Sequence, residues 1–257
     1  MNWAIADVHG CMEQFMEIIN NPEIKDNDIV HIAGDIIDRG SGSAEMLEWA
    51  MDNISEDGKY RMIMGNHEMD IVYGYEDLKR RMSYMIGLGT RSIEEDMTFR
   101  TLSIYELMSK YGFGEYMDMS GKSTIGDIIN YIRWMKKLPL YKSIVTSNNK
   151  KFILAHAWFR GHLDENGDIR PDISMDEILC YRDIDDSFNL TEDYQPMEGE
   201  ILIHGHTPVT SIGGFKSNKA APLFRKNSIN IDGGCYLEGR GRLMALRLED
   251  NYVIYGE

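Results

Sequence analysis

Asp28-Ile29-Val30-His31-Ile32-Ala33-Gly34-Asp35-Ile36-Ile37-Asp38-Arg39-Gly40 decides how the chain is read. Its first half is a short apolar run, as a buried strand requires. Its second half is a glycine-punctuated loop carrying two aspartates and an arginine. The arrangement recurs on either side of it. Trp3-Ala4-Ile5-Ala6 leads into Asp7-Val8-His9-Gly10, and Tyr60-Arg61-Met62-Ile63-Met64 leads into Gly65-Asn66-His67-Glu68. Between the runs, Cys11 to Asn20 places Met12, Phe15, Met16 and Ile19 at helical spacing. Ser43 is expected to cap a second helix reaching about Ile54, with Met46, Leu47 and Ala50 facing inward. This β-α-β-α-β order predicts a parallel sheet with right-handed crossovers. Ligands of such sheets collect beyond the carboxyl ends of the strands, where all three loops fall.

The remainder is organised differently. Glu68 to Ile86 reads as helix, and Gly87 to about Lys137 as a mostly helical insertion, interpreted as a cap on a single domain spanning 1–257. Strand character returns at Ser143 to Thr146 and Lys151 to Ala155. An acidic stretch from Asp164 to Glu198 reads as loop with one short helix near Ser174 to Cys180. Ile201 to Ile203, Ser228 to Ile231, Leu243 to Leu248 and Tyr252 to Tyr255 are expected to build a second, more antiparallel sheet packed on the first.

Bulk composition excludes several functions. The 257 residues are 43% apolar, enough for a sizeable core. A formal charge of −15 argues against nucleic acid and against an anionic membrane surface. It would also repel a phosphate at long range, so a phosphate site here needs strong local positive charge. No apolar run reaches the roughly 18 residues of a membrane span. The first motif begins at Asp7, which reads as leaving no room for a targeting peptide. Cys11, Cys180 and Cys235 are odd in number and widely spaced, which reads as reduced thiols in a cytoplasmic protein.

The loops carry the ligands of a two-metal hydrolytic site. Two metals about 3.5–4 Å apart need a bridging carboxylate among mixed nitrogen and oxygen donors. Asp35, ending the middle strand of the three, is the natural bridge. Asp7 and His9 can share one metal, and Asn66 offers its carbonyl oxygen to the other. His156, after Lys151 to Ala155, and His206, in Gly205-His206-Thr207, complete the second. This donor set suits manganese, with iron or zinc as alternatives, better than calcium or copper. His67 is placed to protonate a leaving oxygen if an acid such as Asp38 supports it. Arg39 can fork onto phosphate oxygens. His31 reads as a core or edge histidine, His162 as surface loop, and His204 as structural.

The set resembles the calcineurin-like metallophosphoesterases of the phosphoprotein phosphatase type, with D-x-H-G, G-D-x-x-D-R-G, G-N-H-E, a lone histidine and G-H-T in order. Cys11, Leu138-Pro139 and Asp232-Gly-Gly-Cys235 fit the same pattern. The resemblance implies an α/β sandwich of two mixed sheets flanked by helices. It implies Asp7, His9 and Asp35 on one metal, and Asp35, Asn66, His156 and His206 on the other. His67 with Asp38 would be the acid pair, Arg39 a phosphate clamp and Arg182 the second clamp. Ala6 replaces a common glycine, Met64 a common arginine, and Trp158 a common small residue. The activity implied is hydrolysis of phosphomonoesters by hydroxide held between the metals. Phosphoserine and phosphothreonine proteins are the first-choice substrates. Dinucleoside tetraphosphates are the alternative, and a non-catalytic metal-binding scaffold is the third reading.

Overall fold

Trp3, Ala4 and Ile5 are buried on both faces of strand β1 (Asn2–Ile5), as a central strand demands. Parallel β2 (Ile29–Ile32) and β3 (Tyr60–Met62) lie on one side of it. Antiparallel β9 (Met244–Arg247) and then β10 (Val253–Tyr255) lie on the other. The sheet order is therefore β10-β9-β1-β2-β3. Helices α1 (Met12–Ile19) and α2 (Ser43–Asn53) join its parallel strands. A second sheet has the order β4-β5-β6-β8-β7, built from β4 (Tyr141–Val145), β5 (Lys151–Ala155), β6 (Glu200–His204), β7 (Leu223–Phe224) and β8 (Ser228–Asn230). Helix α3 (Asn66–Gly87) follows β3, α4 (Ile125–Met135) precedes β4, and α5 (Met175–Cys180) lies between β5 and β6.

This computed structural model describes residues 1–87, 125–157, 174–180, 182, 199–213 and 217–256. The chain divides into two units, Met1–His67 with Leu138–Glu257, and Glu68–Lys137. The first holds both sheets, which bury Ala4, Ala6, Ala33, Ile63 and Leu246 in one cluster with Phe152, Leu154, Ile203 and Ile229. In the second, α4 buries Ile128, Tyr131, Ile132 and Met135 at helical spacing, and the Lys136 ammonium pairs with the Glu76 carboxylate. Most of the expected 87–137 insertion, Trp158, His162 and most of the acidic stretch lie outside the described residues. Among the described residues no helix is long and apolar enough to cross a membrane.

Two mixed sheets flanked by helices are what the sequence predicts, with four corrections. The second sheet is not the more antiparallel one: each sheet has two parallel and two antiparallel pairings. The last two strands return to β1, whose side away from β2 is open for pairing. Ser43 does not cap α2; it is the first helical residue, and its hydroxyl accepts the Asp38 amide at 2.9 Å. In α1, Phe15, Ile18 and Ile19 are buried while Met12 and Met16 are only partly so. Finally, α3 begins at Asn66 instead of Glu68, which puts two proposed functional residues in its first turn. The short α5 follows expectation. Ser174 and Glu177 form a reciprocal capping box, with Glu177 N–H donating to Ser174 Oγ at 3.2 Å and Ser174 N–H donating to Glu177 Oε2 at 2.8 Å.

Candidate metal and phosphate site

The loops after β1, β2 and β6 leave their strands through left-handed turns. Asp7, His9, Asp35, Asp38, Arg39 and His206 all have positive φ, between 47° and 71°. The only other described non-glycine residues there are Asn149 and Asn251, which tolerate that region. Six non-glycine residues in a disfavoured conformation at one place mean that the surrounding hydrogen bonds dictate the backbone. His9 N–H donates to Asp35 O at 2.9 Å, Gly10 N–H to Ile36 O at 2.8 Å, and Gly40 N–H to His9 O at 2.9 Å. The first two loops are thus one hydrogen-bonded unit.

The second sheet closes on it from the other side. His206 N–H donates to both oxygens of Asp7 at 3.0 Å. A Cβ on Gly205 would lie 1.8 Å from Asp7 Oδ2, so the glycine of Gly205-His206-Thr207 is required by this approach. Gly34, at φ 83°, meets Gly65 just as closely: a Cβ on it would lie 2.5 Å from the Gly65 backbone. His156 reaches across through Nδ1, which donates to Ala33 O at 2.8 Å.

Asp35 is the common member of two clusters, His9–Asp35–His67 and Asp35–His156–His206, in each of which the candidate ligand atoms lie within 4.8 Å of one another. The hydrogen bonds set two of the imidazole tautomers. His9 Nδ1 and His156 Nδ1 each face a carbonyl, at 2.8 Å, and so carry the proton there. In the neutral rings Nε2 then presents only a lone pair. His156 Nε2 nevertheless lies 3.0 Å from Asn66 Oδ1 and 3.3 Å from Asp35 Oδ2. His206 Nδ1 lies 2.9 Å from the same Asn66 oxygen, and His9 Nε2 3.7 Å from Asp35 Oδ2. A proton on an imidazole or a bound cation reconciles donors this close, and a neutral His206 can itself donate Nδ1–H to Asn66. Imidazole, carboxylate and amide oxygen suit a first-row divalent metal.

The electrostatics agree. Burial opposes charge on His156, but the carboxylates of Asp35 and Asp7 override it and hold its pKa at about 10. Burial would raise Asp35, yet His156, His67 and His9 together hold it far below the usual carboxylate range. Asp7 is pushed well above that range by burial and by Asp232. Burial lowers His9 to about 4 and His206 to about 3. Asp7 belongs to neither cluster as such; its carboxylate faces the His206 amide and couples electrostatically to Asp35 and His156.

His67 heads α3. Its N–H, one of the unpaired amides of a first turn, donates to Asp35 Oδ1 at 3.0 Å. Its ring joins Asp38 through an Nδ1–Oδ2 contact of 2.5 Å and turns Nε2 toward Asp35 Oδ2, 3.8 Å away. Arg39 is exposed and stacks its guanidinium 4.6 Å from the Tyr236 ring centroid. Arg182 is exposed, and its charge contributes to lowering the His206 pKa. The expected residues thus gather at one end of the sheets. Two further residues at this end were given no role from sequence. Asp232 is buried, with a pKa pushed to about 7 by burial against the opposing Gly234 amide and with Asp35 adding to it. Tyr236 contacts both Arg39 and His9. A glycine-rich turn after a strand was the only signal for either. His204 is buried as read, burial holding it neutral with a pKa of about 3.

Carboxylates and imidazoles on strand-end loops of two facing mixed sheets define a metal-dependent phosphoric ester hydrolase. The chain belongs to the calcineurin-like phosphoesterase family, whose profile matches residues 3–232. It is 26% identical over 255 residues to the asymmetrical bis(5'-nucleosyl)-tetraphosphatase PrpE of Anoxybacillus flavithermus, covering 95% of this chain and 88% of that one. It is 24% identical over 157 residues to a symmetrical bis(5'-nucleosyl)-tetraphosphatase of Buchnera aphidicola, spanning only 42% of that protein's length. Among solved structures, one assigned as a diadenosine tetraphosphatase superposes with a TM-score of 0.59 at 15% identity, covering 99% of this chain and 91% of the other. A serine/threonine phosphatase from Saccharomyces cerevisiae superposes at 0.53 and 14% identity, covering 99% and 78%. At such identities the structural likeness speaks for the fold alone.

Proposed function

We propose that the protein is a two-metal phosphoesterase in which Asp7, His9 and Asp35 hold one ion. Asp35, Asn66, His156 and His206 hold the second. The convergence of four imidazoles on Asp35, with Asn66 against two of them, carries this reading. When bound, the metal pair, manganese by preference and iron or zinc otherwise, supplies a water-derived nucleophile at neutral pH and Lewis-acid charge. The chain's own residues do the rest. Arg39 and Arg182 hold the non-reacting phosphoryl oxygens. Asp38 fixes the His67 ring through Nδ1, so that Nε2 faces the reacting centre. As the bond from phosphorus to the leaving oxygen breaks, His67 gives that oxygen the Nε2 proton, and Asp38 stabilises the imidazolium that does so. The three free cysteines fit the reducing cytoplasm we assign to the protein.

Substrate class is part of the proposal. The sequence reading placed phosphoproteins first and dinucleoside tetraphosphates second. The relatives' names support the second, so dinucleoside tetraphosphates move to first place and phosphoserine or phosphothreonine proteins follow. Turnover of diadenosine tetraphosphate, a phosphopeptide and p-nitrophenyl phosphate in Mn²⁺ decides between them. A kcat/KM at least tenfold higher for the dinucleotide is expected. The reverse order restores the phosphatase, and no turnover from a chain shown to hold two metals leaves the non-catalytic scaffold.

A further inference from the structure

Tyr236 lies on the loop after β8, in none of the ligand motifs. Its half-buried ring touches two elements of the site at once. The His9 ring meets it edge-on, centroids 5.1 Å apart and planes at 90°. The Arg39 guanidinium lies over its face, 4.6 Å from the centroid. The loop beneath is fixed. Asp232 Oδ1 accepts the Gly234 N–H at 2.8 Å, and Leu237 N–H donates to Gly234 O at 2.8 Å. Cys235 Sγ points at Asp7 O and Val8 O, 3.2 and 3.1 Å away, tying it to the loop of Asp7 and His9. Arg39, in contrast, is an exposed side chain on a backbone at φ 71°. Among the described residues, Tyr236 is the group its guanidinium packs on.

An exposed arginine samples many rotamers and must be ordered before it can bind phosphate bidentately. A cation held over an aromatic face is ordered in advance. We infer that Tyr236 is a positioning residue for phosphate binding: its ring holds the Arg39 guanidinium in place beside the metal ligands. The inference rests on the reading of Arg39 as a phosphate clamp.

The test is a double-mutant cycle in the Mn²⁺-loaded enzyme, reading KM and kcat for p-nitrophenyl phosphate, the inhibition constant of inorganic phosphate, and manganese per chain. Tyr236→Leu should raise KM and the phosphate inhibition constant roughly 3–10-fold, with kcat and metal content little changed. Tyr236→Phe keeps the ring face and should stay within about twofold of wild type. In an Arg39→Ala background, Tyr236→Leu should add nothing. Wild-type KM in Tyr236→Leu overturns the inference while leaving the clamp standing, provided Arg39→Ala is impaired. Phe behaving as badly as Leu, a Leu effect that persists without Arg39, or loss of manganese in Tyr236→Leu also overturns it. Unaltered KM and phosphate inhibition in Arg39→Ala removes the clamp itself, and the inference with it.

Discussion

At Asp35, one oxygen receives the His67 backbone amide and the other faces His9, His67 and His156. Burial opposes a charge on His156, but Asp35 and Asp7 outweigh it and raise its pKa from 6.5 to about 10. The sign follows directly. The raised pKa stabilises the metal-free fold fully below about 6.5, and the contribution is lost as pH climbs toward 10. Metal entry must displace the His156 proton. Mn²⁺ binding at pH 7 should therefore release at least one proton, from His156 and from Asp7 to the extent that it is protonated, visible by calorimetry as a binding heat that varies with the ionisation enthalpy of the buffer. Equal heats in phosphate-free buffers of very different ionisation enthalpy would show that His156 is already neutral. His67→Asn separates ligand from acid. Two metals should stay bound while turnover of diadenosine tetraphosphate falls roughly 10²–10⁴-fold, and p-nitrophenyl phosphate should lose less because its leaving group hardly needs a proton. Metal loss in this variant would make His67 a ligand instead.

Elements place these residues with an accuracy that the sequence carries unevenly. Strands β1, β2 and β3 could be read because each is a short apolar run that ends in Ala-Asp, Gly-Asp or Gly-Asn, a pattern with few other solutions. The pairing of β9 with β1 could not, because nothing local to Met244–Arg247 records which edge it will meet. The start of α3 was missed for a related reason. Asn66 reads as a loop ligand and His67 as the acid beside it, yet the Asp35 carboxylate accepts the His67 amide and so fixes the first turn. The glycine of Gly205-His206-Thr207 has its cause in the Asp7 carboxylate arriving from the other sheet, which no local sequence records. Gly205→Ala should consequently displace Asp7 and weaken Mn²⁺ binding at least tenfold, while secondary structure by circular dichroism is kept. Unchanged metal affinity would mean that the close approach of the two sheets at this point is not needed.

Taken whole, the chain carries a net charge of −15, yet its proposed substrates are anions. Long-range attraction cannot bring them in, so the local charge of the metals and of Arg39 and Arg182 must do so. Stripping the metals should for that reason abolish inhibitory phosphate binding as well as turnover. Both effects converge on the same question, whether one carboxylate joins two ions. The direct measurement is a Mn²⁺ titration of metal-free wild type and Asp35→Asn, with bound manganese counted per chain and p-nitrophenyl phosphate turnover followed alongside. Two ions in wild type are expected, with both weakened together and turnover lost in Asp35→Asn, while the folded chain is retained. Two ions bound with wild-type affinity and near wild-type turnover in Asp35→Asn would contradict the shared site.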